Sequence, residues 1–192
     1  MTTPTATEAA DPRDAIMDHL PALRAFAISL TRDLTAADDL VQDTIVKAWS
    51  NFEKFSAGTD LRAWLFTILR NTFFSGKRKT RREVADPDQI HAGTLFEKPV
   101  HDGRLAYAEF QRAFDKLSPE HREVLILVGA SGYTCEEAAA MMGVAIGTVK
   151  SRTNRARARL CALMGLALGE DALPGMDGAT AAVMSRSVTQ AA

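Results

Sequence analysis

A run of cations without acids lies in the C-terminal third of the chain, where residues 147–160 read GTVKSRTNRARARL. The run holds five basic side chains, whereas the whole chain is balanced, with 23 Lys+Arg against 24 Asp+Glu. Like charges this close repel one another, and no acid in the run can offset them by i,i+4 pairing. The pattern therefore predicts a segment that binds a polyanion.

Helical periodicity divides this segment into an apolar stripe and a polar face. Four residues share the predicted inner stripe: Val149, Thr153, Ala156 and Leu160. The opposite face has small or short polar residues at its centre, namely Ser151, Asn154 and Ala158, and cations at its margins, namely Lys150 and Arg157 on one edge and Arg155 and Arg159 on the other. Arg152 lies nearer the apolar boundary, which suits a phosphate or structural contact. A helix in the DNA major groove needs cations for phosphates at its rims and short polar groups toward the base edges.

The preceding residues complete a predicted helix-turn-helix. Thr134 and Glu137 form a capping box, the short helix CEEAAAMM ends at Gly143, and the basic helix follows after a few residues. Ala145 precedes the basic helix and cannot provide a side-chain cap, at a cost of about 1 kcal/mol. A solvated cationic helix on a bundle surface is the alternative, but such surfaces normally interleave acids with bases.

Residues 36–52 predict a second amphipathic helix, opened by a capping box of Thr35 and Asp38. The predicted inner face consists of Val41, Thr44, Ile45, Ala48, Trp49 and Phe52, and the outer face of Asp39, Gln42, Asp43, Val46 and Ser50. Two carboxylates on one face can serve catalysis or a metal, but no histidine or third acid converges on them. A solvated acidic face and a docking surface for a basic partner, with Val46 as its apolar contact, both remain open.

The third predicted helix, capped by Thr59 or Asp60, interleaves aromatic residues with cations. From Arg62 to Arg82 there are seven Lys/Arg and no acid, among Trp64, Phe66, Phe73 and Phe74. Trp64 is predicted to join Leu61, Leu65 and Ile68 in the core. The other rings and the cations suit single-stranded DNA, whose bases stack on aromatic side chains while cations follow the backbone.

Apolar residues fall at helical spacing through most of the chain, so the predicted fold is all-α. New helices are predicted to begin at Pro21 and at Ser118-Pro119. No apolar run approaches the roughly 18–20 residues of a membrane span, and the N-terminus lacks the features of a signal peptide. The composition predicts a disordered tail, a helical module, a flexible linker, a second helical module and a flexible tail, over 1–12, 13–82, 83–104, 105–164 and 165–192 respectively.

The motifs of both predicted modules resemble those of a known protein family. The run GYTCEEAAAMMGVAIGTVKSRTNRARARL resembles the promoter −35-reading region 4 of the extracytoplasmic-function (group IV) sigma factors of RNA polymerase. ADDLVQDTIVKAW resembles the region 2 segment that grips core polymerase, and LRAWLFTILRNTFF resembles the −10 module. One departure is Ala145, where the family often has Ser or Pro.

The resemblance implies three sets of contact residues. Core polymerase would contact Asp39, Gln42, Asp43 and Val46. The −10 single strand would contact Phe55, Gly58, Asp60, Arg70, Asn71, Lys77 and Arg78. The −35 duplex would contact Lys150, Ser151, Arg152, Asn154, Arg155, Arg157 and Arg159.

Within the family, FSAGTDLRAWLFTILRNTFF and LILVGASGYTCEEAAA are most similar to the general-stress-response subgroup. This similarity implies control by a small soluble anti-sigma factor and by a response regulator that mimics sigma. The residues themselves predict a cytoplasmic protein with no membrane association, no catalytic or metal residues and no cofactor. A free-standing helix-turn-helix regulator would leave the face of 36–52 unexplained. A sigma-mimicking response regulator would require a receiver domain, and an enzyme would require a nucleophile, metal or phosphate loop.

Overall fold

The computed structural model describes residues 13–56, 58–83 and 102–166, and every regular element within those ranges is helical. The α-helices in chain order are α1 (Ala15–Asp18), α2 (Leu20–Thr31), α3 (Leu34–Ser50), α4 (Leu61–Glu83), α5 (Asp102–Asp115), α6 (Pro119–Val124), α7 (Cys135–Met142) and α8 (Ile146–Met164). A 3₁₀ turn spans Phe52–Lys54, and a π-helical segment, Leu125–Ala130, continues α6. The all-α prediction is confirmed. The predicted N-terminal tail and most of the predicted linker and C-terminal tail lie outside the described residues.

Helices α1 to α4 form the first module, whose core is built from the apolar faces that the periodicity predicts. Phe26 of α2 and Phe66 of α4 stack with ring centroids 4.7 Å apart, and both side chains are buried. Leu65 and Leu69 complete the inner face of α4. Pro21 occupies the first turn of α2, as its fixed φ predicts.

The predicted capping box of Thr35 and Asp38 is wrong. Helix α3 begins at Leu34, and Asp33 is its N-cap, with an extended backbone and a carboxylate that accepts from the Ala36 amide at 2.7 Å. Thr35 already lies inside the helix, where its backbone cannot adopt the extended conformation of a cap. Asp38 instead binds Arg24 of α2 at 2.6 Å and ties the two helices together.

Helices α5 to α8 form the second module, and here the predicted caps are confirmed. Ser118 caps α6 ahead of Pro119, and Thr134 and Glu137 exchange both bonds of a capping box at the start of α7. Gly143 ends α7 with a φ of 65°, a left-handed conformation that glycine adopts without the strain of a Cβ atom. Helix α8 begins at Ile146, after Ala145, which provides no side-chain cap.

The two modules lie in direct contact. Helix α2 packs against α6, and α4 packs against α7. At one edge of this interface Arg32, the left-handed C-cap of α2, reaches Asp115 of α5 at 3.8 Å. The sequence pattern predicted two modules but not the surface through which they meet.

Candidate nucleic-acid interface

Helix α8 presents its predicted cationic face to solvent. The four residues of the predicted inner stripe are all buried: Val149, Thr153, Ala156 and Leu160. Four of the cations and the central amide are exposed, namely Lys150, Arg155, Arg157, Arg159 and Asn154. Arg152 is half-buried, in line with its place at the apolar boundary. The described structure thus keeps a continuous polar and cationic surface along this helix.

One cation of this face is held in a defined orientation. The Nε of Arg155 donates to the Ser151 carbonyl at 3.2 Å, and its Nη2 donates to the Ser151 hydroxyl at 3.0 Å. Ser151 in turn donates to the Thr148 carbonyl. The Arg155 guanidinium is therefore held over the preceding helical turn and is directed toward the N-terminal half of α8. In a helix-turn-helix, the N-terminal residues of the second helix contact the base edges.

The outer face of α3 is exposed in full. Asp39, Gln42 and Asp43 reach solvent, and Val46 is 64% exposed between them and the end of the helix. An apolar side chain surrounded by acidic and amide groups on one helical face is a surface suited to a partner that offers both cations and an apolar contact.

Trp49 was predicted to be part of the inner face, and this is wrong because its side chain is 48% exposed. The remaining predicted inner residues of the helix, Val41, Thr44, Ile45 and Ala48, are buried or half-buried. Trp49 lies at the edge of the apolar stripe, where the Arg13 guanidinium covers its ring at 5.6 Å from the centroid. The indole therefore extends the exposed surface that begins at Val46, and its position at the boundary of the predicted stripe was the signal.

An aromatic cluster supports the loop before α4. The Phe55 ring lies 5.5 Å from Phe52 and 5.4 Å from Trp64, and Phe52 meets Trp64 edge-on at 6.0 Å. All three rings are half-buried, so Trp64 packs against the core without being enclosed by it. These rings give the loop a fixed apolar base.

The loop ends where α4 begins. Gly58 is exposed and adopts a φ of 88°, a left-handed conformation that glycine tolerates without the strain of a Cβ atom. Asp60 accepts from the Ala63 amide at 3.2 Å, which confirms it as one of the two predicted caps. A short, exposed loop on a rigid aromatic base can hold an extruded nucleobase.

The cations of α4 are not equivalent. Lys77 lies over the Phe73 ring at 5.1 Å, and loss of solvation lowers its pKa. Arg78 donates to the Ser75 hydroxyl at 3.0 Å. Asn71 is exposed and accepts from Nη1 of Arg70 at 3.0 Å.

Arg70 has a second partner on the other module. Its Nε donates to the Glu123 carboxylate of α6 at 2.5 Å. The Glu123 side chain has no exposed surface, and burial raises its pKa although Arg70 and Arg152 act in the opposite direction. Glu123 was not among the predicted site residues, and its signal in the sequence is an acid directly before the apolar run VLILV.

Within the described residues no cluster of three or more His, Cys, Asp or Glu side chains is arranged to hold a metal ion. The same residues include no helix with the length and hydropathy required to cross a membrane.

The described residues form two helical modules, one with an exposed cationic helix and one with an exposed acidic and apolar face, and comparison with known proteins identifies the class. Residues 15–83 match Sigma-70 region 2, and residues 107–160 match Sigma-70, region 4. The chain is 53% identical, over 159 residues, to the ECF RNA polymerase sigma factor EcfG of Rhodopseudomonas palustris (strain TIE-1), covering 83% of this chain and 88% of the relative.

Two solved structures extend the comparison. The sigma factor RpoE of Bartonella quintana, in complex with the anti-sigma factor NepR, superimposes with a TM-score of 0.71 at 48% identity, covering 83% of this chain and all of that one. CnrH, in complex with the cytosolic domain of CnrY, superimposes with a TM-score of 0.54 at 30% identity, covering 79% and 86%.

The chain belongs to the ECF sigma factors of the sigma-70 family. Its partners are therefore core RNA polymerase and promoter DNA, and its function is to direct promoter recognition and the initiation of transcription. Sigma factors are initiation factors rather than enzymes.

Proposed function

We propose that the exposed outer face of α3 is the surface that docks on core polymerase. Asp39, Gln42 and Asp43 supply acceptors for cations and amides of the partner, and Val46 supplies the apolar centre. Their exposure in the folded chain supports this role, because a docking group must be available without unfolding the helix. Trp49 adds apolar area at the edge of the same face.

The melted −10 strand is assigned to the loop before α4 and to the polar face of that helix. Phe55, Gly58 and Asp60 form the loop that holds an unpaired base, while Asn71 reads a base edge. The cations Arg70, Lys77 and Arg78 follow the phosphates. The half-buried rings beneath the loop support this assignment, because bases stack favourably on aromatic side chains.

The −35 duplex is assigned to α8. Lys150, Ser151, Asn154 and Arg155 lie toward the base edges, and Arg152, Arg157 and Arg159 contact phosphates. The observation that carries this assignment is the orientation of the Arg155 guanidinium by Ser151 at the N-terminal half of the helix. A guanidinium that is already oriented loses less entropy when it binds a guanine edge in bidentate fashion.

The regulatory setting follows from the relatives. Bartonella quintana RpoE is solved with the anti-sigma factor NepR, and its chain is similar to this one over its whole length. We therefore assign this protein a small soluble anti-sigma factor that binds both modules, and general-stress genes as its targets. It performs no chemistry of its own and acts in the cytoplasm, where polymerase and promoters are found. The modules are assigned to 13–82 and 105–164, with 83–104 as the linker.

Run-off transcription tests the proposal. Purified core polymerase, a promoter fragment from the host and this protein should yield a defined transcript, and core polymerase alone should not. Addition of the candidate anti-sigma protein should abolish the transcript in proportion to its molar ratio. Transcripts of equal yield with and without this protein would refute the function.

A further inference from the structure

A buried ion pair joins the two modules. Glu123 is enclosed on all sides, and its only hydrogen-bond donor among the described residues is Arg70 of the other module. A carboxylate that loses its water is tolerated in a protein only when a cation and hydrogen bonds replace that water. The first module supplies the hydrogen-bonded cation, so separation of the modules would remove it.

A second contact lies one residue away. The Arg122 side chain is 3% exposed, and its Nη2 donates to the Leu30 carbonyl in the last turn of α2 at 2.9 Å. Its Nη1 donates to the carbonyls of Leu117 and Asp115 within the second module. The last carbonyls of a helix have no partner within it and carry partial negative charge, which a guanidinium complements.

A third contact is aromatic. Tyr133, just before α7, meets the edge of Phe66 with centroids 6.3 Å apart. The Arg62 guanidinium lies over both rings, at 5.1 Å from the Phe66 centroid and 5.9 Å from the Tyr133 centroid. These three contacts join α4 to α6, α6 to the end of α2, and Tyr133 to α4, and they combine an ion pair, a helix end and a cation–π group. An interface of this kind has a specific arrangement rather than a chance apposition.

This interface occupies the cation that the −10 strand would use. The guanidinium of Arg70 binds Glu123 through Nε and Asn71 through Nη1, and it covers the Phe74 ring at 5.0 Å. A phosphate binds a guanidinium with the same charge-assisted geometry as a carboxylate does. The Glu123 carboxylate and a DNA phosphate therefore cannot both bind the Nε of Arg70 at the same time.

We propose that the free protein is autoinhibited by its own second module, with Glu123 taking the place of a −10 strand phosphate on Arg70. The proposal rests on the assignment of Arg70 to the −10 strand. Single-stranded DNA and the second module compete for one guanidinium, so opening of the modules precedes capture of the strand. The docking face on α3 stays exposed in the closed form, so the inhibition acts on DNA and leaves the polymerase surface available.

A distance measurement tests the closed form. Ser50→Cys and Glu109→Cys place spin labels at exposed sites on the two modules, after Cys135→Ala and Cys161→Ala remove the native thiols. Pulsed electron paramagnetic resonance on the full chain should give one short, narrow distance distribution. A broad, long distribution in the parent protein would overturn the proposal.

Variants then open the interface. Glu123→Gln removes the charge that holds Arg70 and should shift the population to long distances. Tyr133→Ala removes the aromatic contact with Phe66 and Arg62 without altering either member of the ion pair, and it should also shift the population to long distances. It keeps the test decisive if the buried variant fails to fold. Glu136→Gln changes an exposed acid on α7 and is the matched control, which should stay closed.

Binding of a fluorescein-labelled, random-sequence DNA single strand is the second readout. If one molecule in ten of the parent is open, full opening raises the apparent affinity about tenfold, because affinity scales with the competent fraction. Opened variants with unchanged DNA affinity would overturn the competition, and variants that stay closed would overturn the role of the interface. Loss of the promoter function in run-off transcription, by contrast, would leave the distance result intact and would count against the proposed function alone.

Discussion

The guanidinium of Arg155 lies folded back on Ser151, one helical turn earlier, with Nε 3.2 Å from its carbonyl and Nη2 3.0 Å from its hydroxyl. Both residues belong to the solvent face of α8, so this contact supports no core and contributes little to the stability of the fold. Its effect is to restrict the rotamers of a side chain that is otherwise exposed. A restricted guanidinium favours base reading, whereas a phosphate contact has no need of a fixed orientation.

The first prediction separates base reading from phosphate contact on α8. Arg155→Ala should reduce the preference for a duplex selected by the protein over a scrambled one by about 1–3 kcal/mol, because a bidentate base contact is lost. Ser151→Ala should reduce it less. Arg159→Ala is the comparison, and it should weaken both duplexes alike and lower the slope of log affinity against log salt by about 0.9. Fluorescence anisotropy over a salt series measures all three, and equal losses on both duplexes for every variant would exclude base reading by this helix.

The second prediction concerns the docking face. Asp39→Arg replaces an attraction with a repulsion and should weaken binding to core polymerase by about 2–5 kcal/mol if the carboxylate is desolvated in the complex. Glu53→Arg makes the same change at an exposed site in the 3₁₀ turn, away from this face, and should have a much smaller effect. Competition for core polymerase is the measurement, with circular dichroism to verify the fold. Unaltered affinity in the Asp39 variant would remove α3 from the docking surface.

The third prediction is a pH dependence carried by the pair of Arg24 and Asp38. A side-chain hydrogen bond from Arg24 holds the pKa of Asp38 below its ordinary value of 3.8. The folded protein therefore binds this proton less readily than the unfolded chain, and the stabilisation is full above the ordinary pKa and disappears as pH falls through the lowered one. Both groups are partly exposed, so the effect is small.

Urea unfolding of the parent and of Asp38→Asn from neutral pH to acid measures this effect. The difference in the free energy of unfolding between the parent and Asp38→Asn should be constant at neutral pH and should decrease as the pH falls below 3.8. Arg24→Gln should remove the same pH-dependent part of the free energy of unfolding. The double variant, Arg24→Gln with Asp38→Asn, should lose no more of this part than either single variant. A gap that widens toward acid pH would contradict the assigned direction of the shift.

The fourth prediction adds the missing cap of α8. Ala145 has the extended backbone of an N-cap, with φ −67° and ψ 145°, but no side chain that can accept a hydrogen bond. Ala145→Ser should raise the free energy of unfolding by about 1 kcal/mol, since its hydroxyl can accept from the Thr148 amide. Ala162→Ser, at an exposed position inside the same helix, should lower it by roughly 0.5 kcal/mol. Denaturation followed by circular dichroism distinguishes the two, and equal effects would show that Ala145 does not limit the helix.

Local signals explain why so much of the fold could be predicted. Thr134 and Glu137 cap α7 because their side chains and backbone groups are within one helical turn, so no distant residue is needed. Leu160 and Val149 are buried because the helical period places them on one stripe. The local rule failed at Thr35, because the helix begins one residue earlier, at Leu34, and Asp33 has the extended backbone of a cap.

The sequence by itself determined the class of protein: an all-α chain with a helix-turn-helix, a cationic recognition helix and an acidic face on α3. These features depend on periodicity, capping and charge within segments of about ten to twenty residues. Only the tertiary structure decided that Arg70 meets Glu123, 53 positions away, and that Arg122 closes the end of α2 at Leu30, 92 positions away. No local pattern selects among the distant partners of a charge, because the choice depends on which surfaces pack and how much water they exclude.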